Sequence, residues 1–202
     1  MAVLAKKVCQ CPRLRLLLNS SIVVYANCAL SCLLTGSGLK RLTLHNNISA
    51  FNADPNQMYV AGHSAGGHLA AMLMATNWKL FDPSISANVL KGICAVSGLF
   101  NLLPIYHSYV NKVLKMDMET ATGNSPVMLE TSISCPLIVA VGDAETAEFN
   151  DQSKEFYSCW KSKGVDIQLL QLPRQNHYSV AETIVDPQSS LHQALLQLMR
   201  IN

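Results

Sequence analysis

The sequence predicts an α/β fold, a mostly parallel sheet with helices on both faces. Three observations predict it. From Asp54 onward, short apolar stretches alternate with stretches of helical composition. The apolar stretches run unbroken instead of alternating with polar residues, which is the pattern of strands buried on both sides. Two of them, residues 92–97 and 136–141, stop at Gly98 and Gly142, where a chain can turn away from a sheet. At 202 residues, 50% of them hydrophobic, the chain is long enough to bury one substantial core.

Taken in order, Met58-Tyr59-Val60-Ala61 is apolar and partly β-branched and reads as a buried strand. Residues 65–75, rich in Ala, Leu and Met, read as a helix. Residues 92–97 and 136–141 are the next strands. Residues 148–163 have helical composition, with Phe149, Phe156 and Trp160 spaced to share a face, and Gly164 stops that helix. Residues 166–172 form another strand, broken by Pro173. Residues 189–200 form a closing helix with Leu191, Leu195 and Leu198 on one side. The segment 99–133 has weaker periodicity and a turn at Asn124-Ser125-Pro126, and is expected to form a cap of helices. Ligand sites in such sheets lie beyond the carboxyl ends of the strands. That rule gathers Ser64, the loop after Gly142 and the loop after Pro173 at one edge.

At that edge stands Gly62-His63-Ser64-Ala65-Gly66, between the first strand and its helix. A G-x-S-x-G in this setting is the nucleophile elbow of the α/β hydrolases. The turn is so tight that side chains at Gly62 and Gly66 would clash. It lifts the serine hydroxyl clear of the sheet and aims the first N–H groups of the helix at any negative charge formed nearby.

A serine hydroxyl is a poor nucleophile at neutral pH and needs a base, and the base needs a carboxylate to fix its tautomer. In this fold the chain order is Ser, acid, His. His177, in the loop Pro173-Arg174-Gln175-Asn176-His177, is the expected base. His63 and His68 flank the nucleophile and read as packing or capping groups. His107 and His192 lack a place at a strand end, and His45 lies in the N-terminal quarter. The loop Gly142-Asp143-Ala144-Glu145 supplies the acid. Glu145 is preferred for its place three residues after the glycine, and Asp143 is the alternative.

These residues resemble the kynurenine formamidase (arylformamidase) group and its esterase relatives. The resemblance rests on Asp54 through Ala71, on Val96-Ser97-Gly98-Leu99-Phe100, Asn124-Ser125-Pro126, Val141-Gly142-Asp143-Ala144-Glu145 with Glu148-Phe149, and Asn176-His177-Tyr178. It runs from about residue 48 to the C-terminus. Residues 48–202 are therefore read as the hydrolase domain and residues 1–47 as an atypical basic segment. The resemblance implies Ser64 as nucleophile, Glu145 as acid and His177 as base, acting on an N-formyl aryl amine such as N-formylkynurenine. It implies neither metal nor cofactor. Phe100, Tyr106 and Tyr178 are candidate linings of an aromatic pocket.

The chain departs from the group in one respect: no His-Gly-Gly segment precedes the elbow. That segment supplies oxyanion-hole N–H groups in the group, leaving the Ala65 N–H as the expected donor here. Losing one such donor typically costs about 2.7–4 kcal/mol of transition-state stabilisation. Residues 21–30 would match the strand after that segment, so the expectation is of a truncated or alternatively started chain, with residues 25–38 as a substitute source of the second donor. Two rival readings follow: a carboxylesterase with the same triad, and a catalytically impaired hydrolase kept as a binding or dimerising domain.

Charge and cysteines bound the remaining classes. Fifteen Lys and Arg stand against thirteen Asp and Glu, which points away from nucleic acid and acidic partners. A small-molecule substrate is the expected partner, with no membrane, and a homodimer is the assembly kept open. No acidic residue precedes Asp54, whereas Lys6, Lys7, Arg13, Arg15, Lys40 and Arg41 do. An organellar transit peptide would suit that charge, but serine is not dense there and no amphipathic repeat emerges. Residues 21–34 contain Asn27 and small polar residues and fall short of a membrane span. The seven cysteines form no paired C-x-x-C set, Cys94 and Cys135 sit in apolar runs, and the usage reads as reduced and cytoplasmic.

Overall fold

Among the described residues five strands run parallel through the sheet, which carries helices on both of its faces. The computed structural model describes the backbone at residues 17–18 and 21–26, then residues 54, 56–81, 83, 86 and 88–201. The sheet order is β1 (Leu17–Leu18), β2 (Ser21–Ala26), β3 (Met58–His63), β4 (Gly92–Val96), β5 (Leu137–Gly142) and β6 (Ile167–Leu172). Among the described strands only β1 is antiparallel to its neighbour. Register sets Ala26 beside Gly62, Gly62 beside Ala95 and Gly142 beside Leu172. Strand ends on which a site could be built therefore meet at one edge. Residues 1–16, 19–20 and 27–53 lie outside the described residues. With them go His45, Cys9, Cys11, Cys28, Cys32 and most of the basic segment.

The unbroken apolar runs have a direct cause. Met58, Val60, Ile93, Ala95, Leu137 and Val139 point into one core, and the alternate residues Tyr59, Ala61, Cys94, Val96, Ile138 and Ala140 point into the other. The first core is closed by α1 (Ala65–Ala75), the short α2 (Trp78–Phe81) and the 16-residue helix that follows β5. There Phe156 stacks on Phe100 with ring centroids 4.2 Å apart and packs against Trp160. Truncating either ring to alanine would cost about 3–5 kcal/mol. The second core is closed by the C-terminal helices through Val180, Ile184, Leu191 and Leu195.

Segment 99–133 breaks into short turns: α3 (Leu103–Tyr106), α4 (Asn111–Leu114), α5 (Met118–Gly123) and a 3₁₀ turn at Pro126–Met128. They gather around a small core of Leu102, Met116 and Ala121. Within the unit Leu102 N–H donates to Ser125 Oγ (2.8 Å), and bonds to the long helix after β5 tie it to the rest: Phe100 and Asn101 N–H donate to Gln152 Oε1 (2.9 Å each) and Trp160 Nε1–H to Pro126 O (3.0 Å). The remaining helices are α6 (Ala147–Ser162), α7 (Ser179–Glu182) and α8 (Ser190–Leu198). Cys94 and Cys159 are free thiols, Cys94 and Cys135 are buried, and burial pushes the Cys94 thiol up to about 12. Among the described residues no helix is long and apolar enough to cross a membrane.

Candidate active site

The passage from β3 to α1 is as tight as its glycines imply. Ser64 sits at φ 58°, ψ −119°, a positive φ that costs a non-glycine residue about 1–3 kcal/mol. Its N–H donates to Val96 O (2.9 Å), and its carbonyl accepts from His68 N–H (3.0 Å), so strand β4 and helix α1 both hold the turn. A Cβ on Gly62 would lie 2.0 Å from Gly66 O, which is why no side chain fits there. Gly67 is confined as well, less tightly: its Cβ would lie 2.8 Å from Val96 O. Ala65 opens α1, where the first N–H groups have no carbonyl four residues back to bond.

The loops after β5 and β6 bring two further side chains to Ser64. His177 Nε2 lies 3.0 Å from Ser64 Oγ, and His177 Nδ1 lies 2.6 Å from Glu145 Oε2. The partners assign the tautomer: a carboxylate can only accept, so Nδ1 carries hydrogen and Nε2 receives the serine O–H. Glu145 Oε1 accepts from Ser97 Oγ (2.5 Å) and from Gly142 N–H (2.8 Å). The Glu145 side chain has 0% exposure. Burial would raise its pKa, but hydrogen bonds from His177, Ser97 and Gly142, with the His177 charge, outweigh burial and hold it below the usual range. An imidazole oriented in this way can take a proton from the hydroxyl it faces while the carboxylate stabilises the resulting charge.

Rings fix the imidazole from the sides. Phe149 stacks on His177 with centroids 4.2 Å apart, and His63 lies at 4.6 Å, tilted by 43°. Sequence spacing put Phe149 on one helix face with Phe156 and Trp160, but it lies outside their core and against the histidine. Tyr178 meets His177 edge-on at 5.9 Å and is 82% exposed. Phe100 is a correction: it is fully buried against Phe156 and lines nothing. Tyr106 packs on the Leu102 cluster.

The remaining candidates fall away from the hydroxyl. Asp143, the alternative acid, turns from the imidazole, and its Oδ1 accepts from Arg174 N–H at 2.6 Å. His68 is buried on α1 and hydrogen-bonds Asn124 O through Nε2 at 2.7 Å. Burial pushes the pKa of His68 down, and burial with the neighbouring His177 charge does the same for His63. His192 Nδ1 meets Ile184 O at 2.8 Å and His107 lies edge-on to Tyr106. The sequence reading missed Ser97 and Phe149 as site residues. Ser97 carried a usable signal, since it follows β4 at the same carboxyl edge as Ser64. Of residues 25–38, named above as a substitute source of the second oxyanion donor, 27–38 lie outside the described residues.

The BD-FAE family model matches residues 43–159, more than half of the chain and both Ser64 and Glu145. The chain belongs to the BD-FAE family. This BD-FAE member is 39% identical over 148 residues to the kynurenine formamidase of Salmo salar, covering 70% of this chain and 49% of that protein. To the kynurenine formamidase of Danio rerio it is 38% identical over 147 residues, with the same coverage of 70% and 49%. The chain thus spans about half the length of the curated relatives it matches. Among solved structures, the acetyl ester-xyloside bifunctional hydrolase of Caldicellulosiruptor lactoaceticus superposes with a TM-score of 0.64 at 20% identity. That match covers 84% of this chain and 66% of the other, and it shows the fold. The BD-FAE member has the α/β-hydrolase fold and a kynurenine formamidase-like sequence.

Proposed function

We propose that the protein is a serine hydrolase that cleaves an N-formyl aryl amide, converting N-formylkynurenine to kynurenine and formate. The observation that carries this reading is the chain of hydrogen bonds from Ser64 through His177 to Glu145. The likeness to kynurenine formamidases supports the substrate class.

The reaction follows from that geometry. Ser64 Oγ attacks the formyl carbon as His177 Nε2 takes its proton, and Glu145 stays ionised, holding Nδ1–H and the imidazolium charge. The negative oxygen of the tetrahedral intermediate turns toward the Ala65 N–H at the start of α1. Collapse breaks the C–N bond, and His177 returns the proton to the departing aryl amine. Water, deprotonated by His177, then attacks the formyl-serine ester and releases formate and free Ser64. Free thiols at Cys94 and Cys159 fit a reducing compartment, and a cytoplasmic location belongs to the same proposal.

The test is turnover by the purified chain of N-formylkynurenine beside an aryl acetate ester. Production of kynurenine with kcat/KM above that for the ester is expected. Hydrolysis of the ester with no kynurenine formed would make the protein a carboxylesterase, and turnover surviving Ser64→Ala would remove the mechanism.

A further inference from the structure

We propose that Ser97 is a positioning residue for the acid: its hydroxyl and the Gly142 N–H pin one carboxylate oxygen of Glu145 and hold the other on His177. The inference rests on reading Ser64, His177 and Glu145 as a working triad.

A carboxylate on a glutamate side chain turns easily about its last bond, because that torsion is broad and roughly two-fold. In this site both fixed donors converge on the same oxygen, Oε1, at 2.5 Å from Ser97 Oγ and 2.8 Å from Gly142 N. Oε2 is thereby left for His177 Nδ1 at 2.6 Å. The two donors come from different strands, since Ser97 follows β4 and Gly142 ends β5. Ser97 N–H also donates to Ala140 O at 2.7 Å, which fixes its backbone against β5. The bond from Ser97 therefore ties the carboxylate to the end of the neighbouring strand β4, whereas the Gly142 bond ties it to the end of its own strand β5.

Ser97 adopts φ 47°, in the left-handed region, and is completely buried. Glycine would adopt that backbone without strain, and a buried apolar side chain would need no hydrogen-bond partner. A serine there has both liabilities and is explained by what its hydroxyl does. The same bond helps to keep Glu145 ionised. The charged and titratable groups facing Glu145 are His177 from the loop after β6 and His63 from β3, with Asp143 and Glu148 adjacent along its own chain.

The test compares Ser97→Ala with Ser97→Gly. Both remove the hydroxyl, but glycine also relieves the positive φ, so it keeps a folded reference if alanine does not. Each variant should retain KM and lose kcat by about tenfold, as expected for a hydrogen bond to a charged group. The acid limb of the pH profile should move to higher pH because Glu145 loses a donor that favours its ionised form. A second reading needs no substrate: the downfield imidazole N–H proton of His177 should shift and broaden in both variants. An unchanged kcat and acid limb, or wild-type activity in Ser97→Gly with loss only in Ser97→Ala, would overturn the proposal. An unchanged His177 proton signal would overturn it as well. A shifted signal in a protein with no turnover of any acyl substrate would leave Ser97 its role and overturn the proposed reaction instead.

Discussion

Asp143 Oδ1 accepts a hydrogen bond from the Arg174 backbone N–H at 2.6 Å, joining the loop that carries Glu145 to the loop that carries His177. Arg174 has φ 61°, so the bond closes on a strained turn. Asp143 N–H donates to Leu172 O (3.0 Å) and Ala144 N–H to Gln175 O (3.1 Å), which completes the stitch. Two carboxylates two positions apart thus divide the work: one fastens the loops and the other faces the imidazole.

That division sets the first prediction. Asp143→Asn keeps an oxygen for the Arg174 N–H and should leave turnover of an aryl ester within about threefold of wild type. Glu145→Gln keeps the shape but cannot balance the charge on His177, and kcat should fall by a factor on the order of 10³ or more. Steady-state kinetics of the two variants decide it. A larger loss in Asp143→Asn would reverse the assignment.

The glycine contacts give a second prediction. A Cβ on Gly142 would lie 2.1 Å from Gln175 O, and one on Gly62 would lie 2.0 Å from Gly66 O, both against backbone. Gly142→Ala should therefore push the His177 loop away, and Gly62→Ala should spread the elbow. Each should destabilise by about 1–3 kcal/mol or more. Gly123, with nothing within 4 Å of its Cβ, is the control. Gly123→Ala should melt at or above the wild-type temperature, and thermal unfolding of the three variants tests the contrast.

A third prediction concerns acid stability. His68 and His63 have pKa values below the usual 6.5, with burial the largest cause in each. A histidine depressed in the folded state is neutral there while its unfolded counterpart takes up a proton. Stability is thus complete above the unfolded value and falls as pH drops from about 6.5 toward the lower folded value. His68→Gln can keep an N–H donor for Asn124 O and cannot titrate. Urea unfolding at about pH 7 and about pH 5 should show a smaller loss in His68→Gln than in wild type. Equal losses would remove His68 as a source of the slope.

Much of this was legible in the sequence because the signals are local. The strand Met58–His63, the elbow and helix α1 follow from an apolar run, two glycines and an alanine-rich stretch. The place of His177 follows from the rule that sites gather at carboxyl ends of parallel strands. Other features depend on contacts distant in sequence. Loop position already favoured Glu145, but what removes Asp143 from contention is its bond to the Arg174 turn, 31 residues away. Ser97 reaches Glu145 across 48 residues and Phe149 finds His177 through the β6 loop. Segment 99–133 hid its form because four-residue helices are too short to show a period. They are held by bonds such as Met116 N–H to Asn111 Oδ1 (2.8 Å).

The central claim is that Ser64 is an activated nucleophile, and labelling with a fluorophosphonate followed by peptide mass spectrometry tests it most directly. The probe reacts with an activated serine and assumes no substrate. The account predicts one adduct, on Ser64, lost in Ser64→Ala and strongly slowed in Glu145→Gln, with both variants folded. An unlabelled wild-type protein, or an adduct that persists in Ser64→Ala, would contradict it.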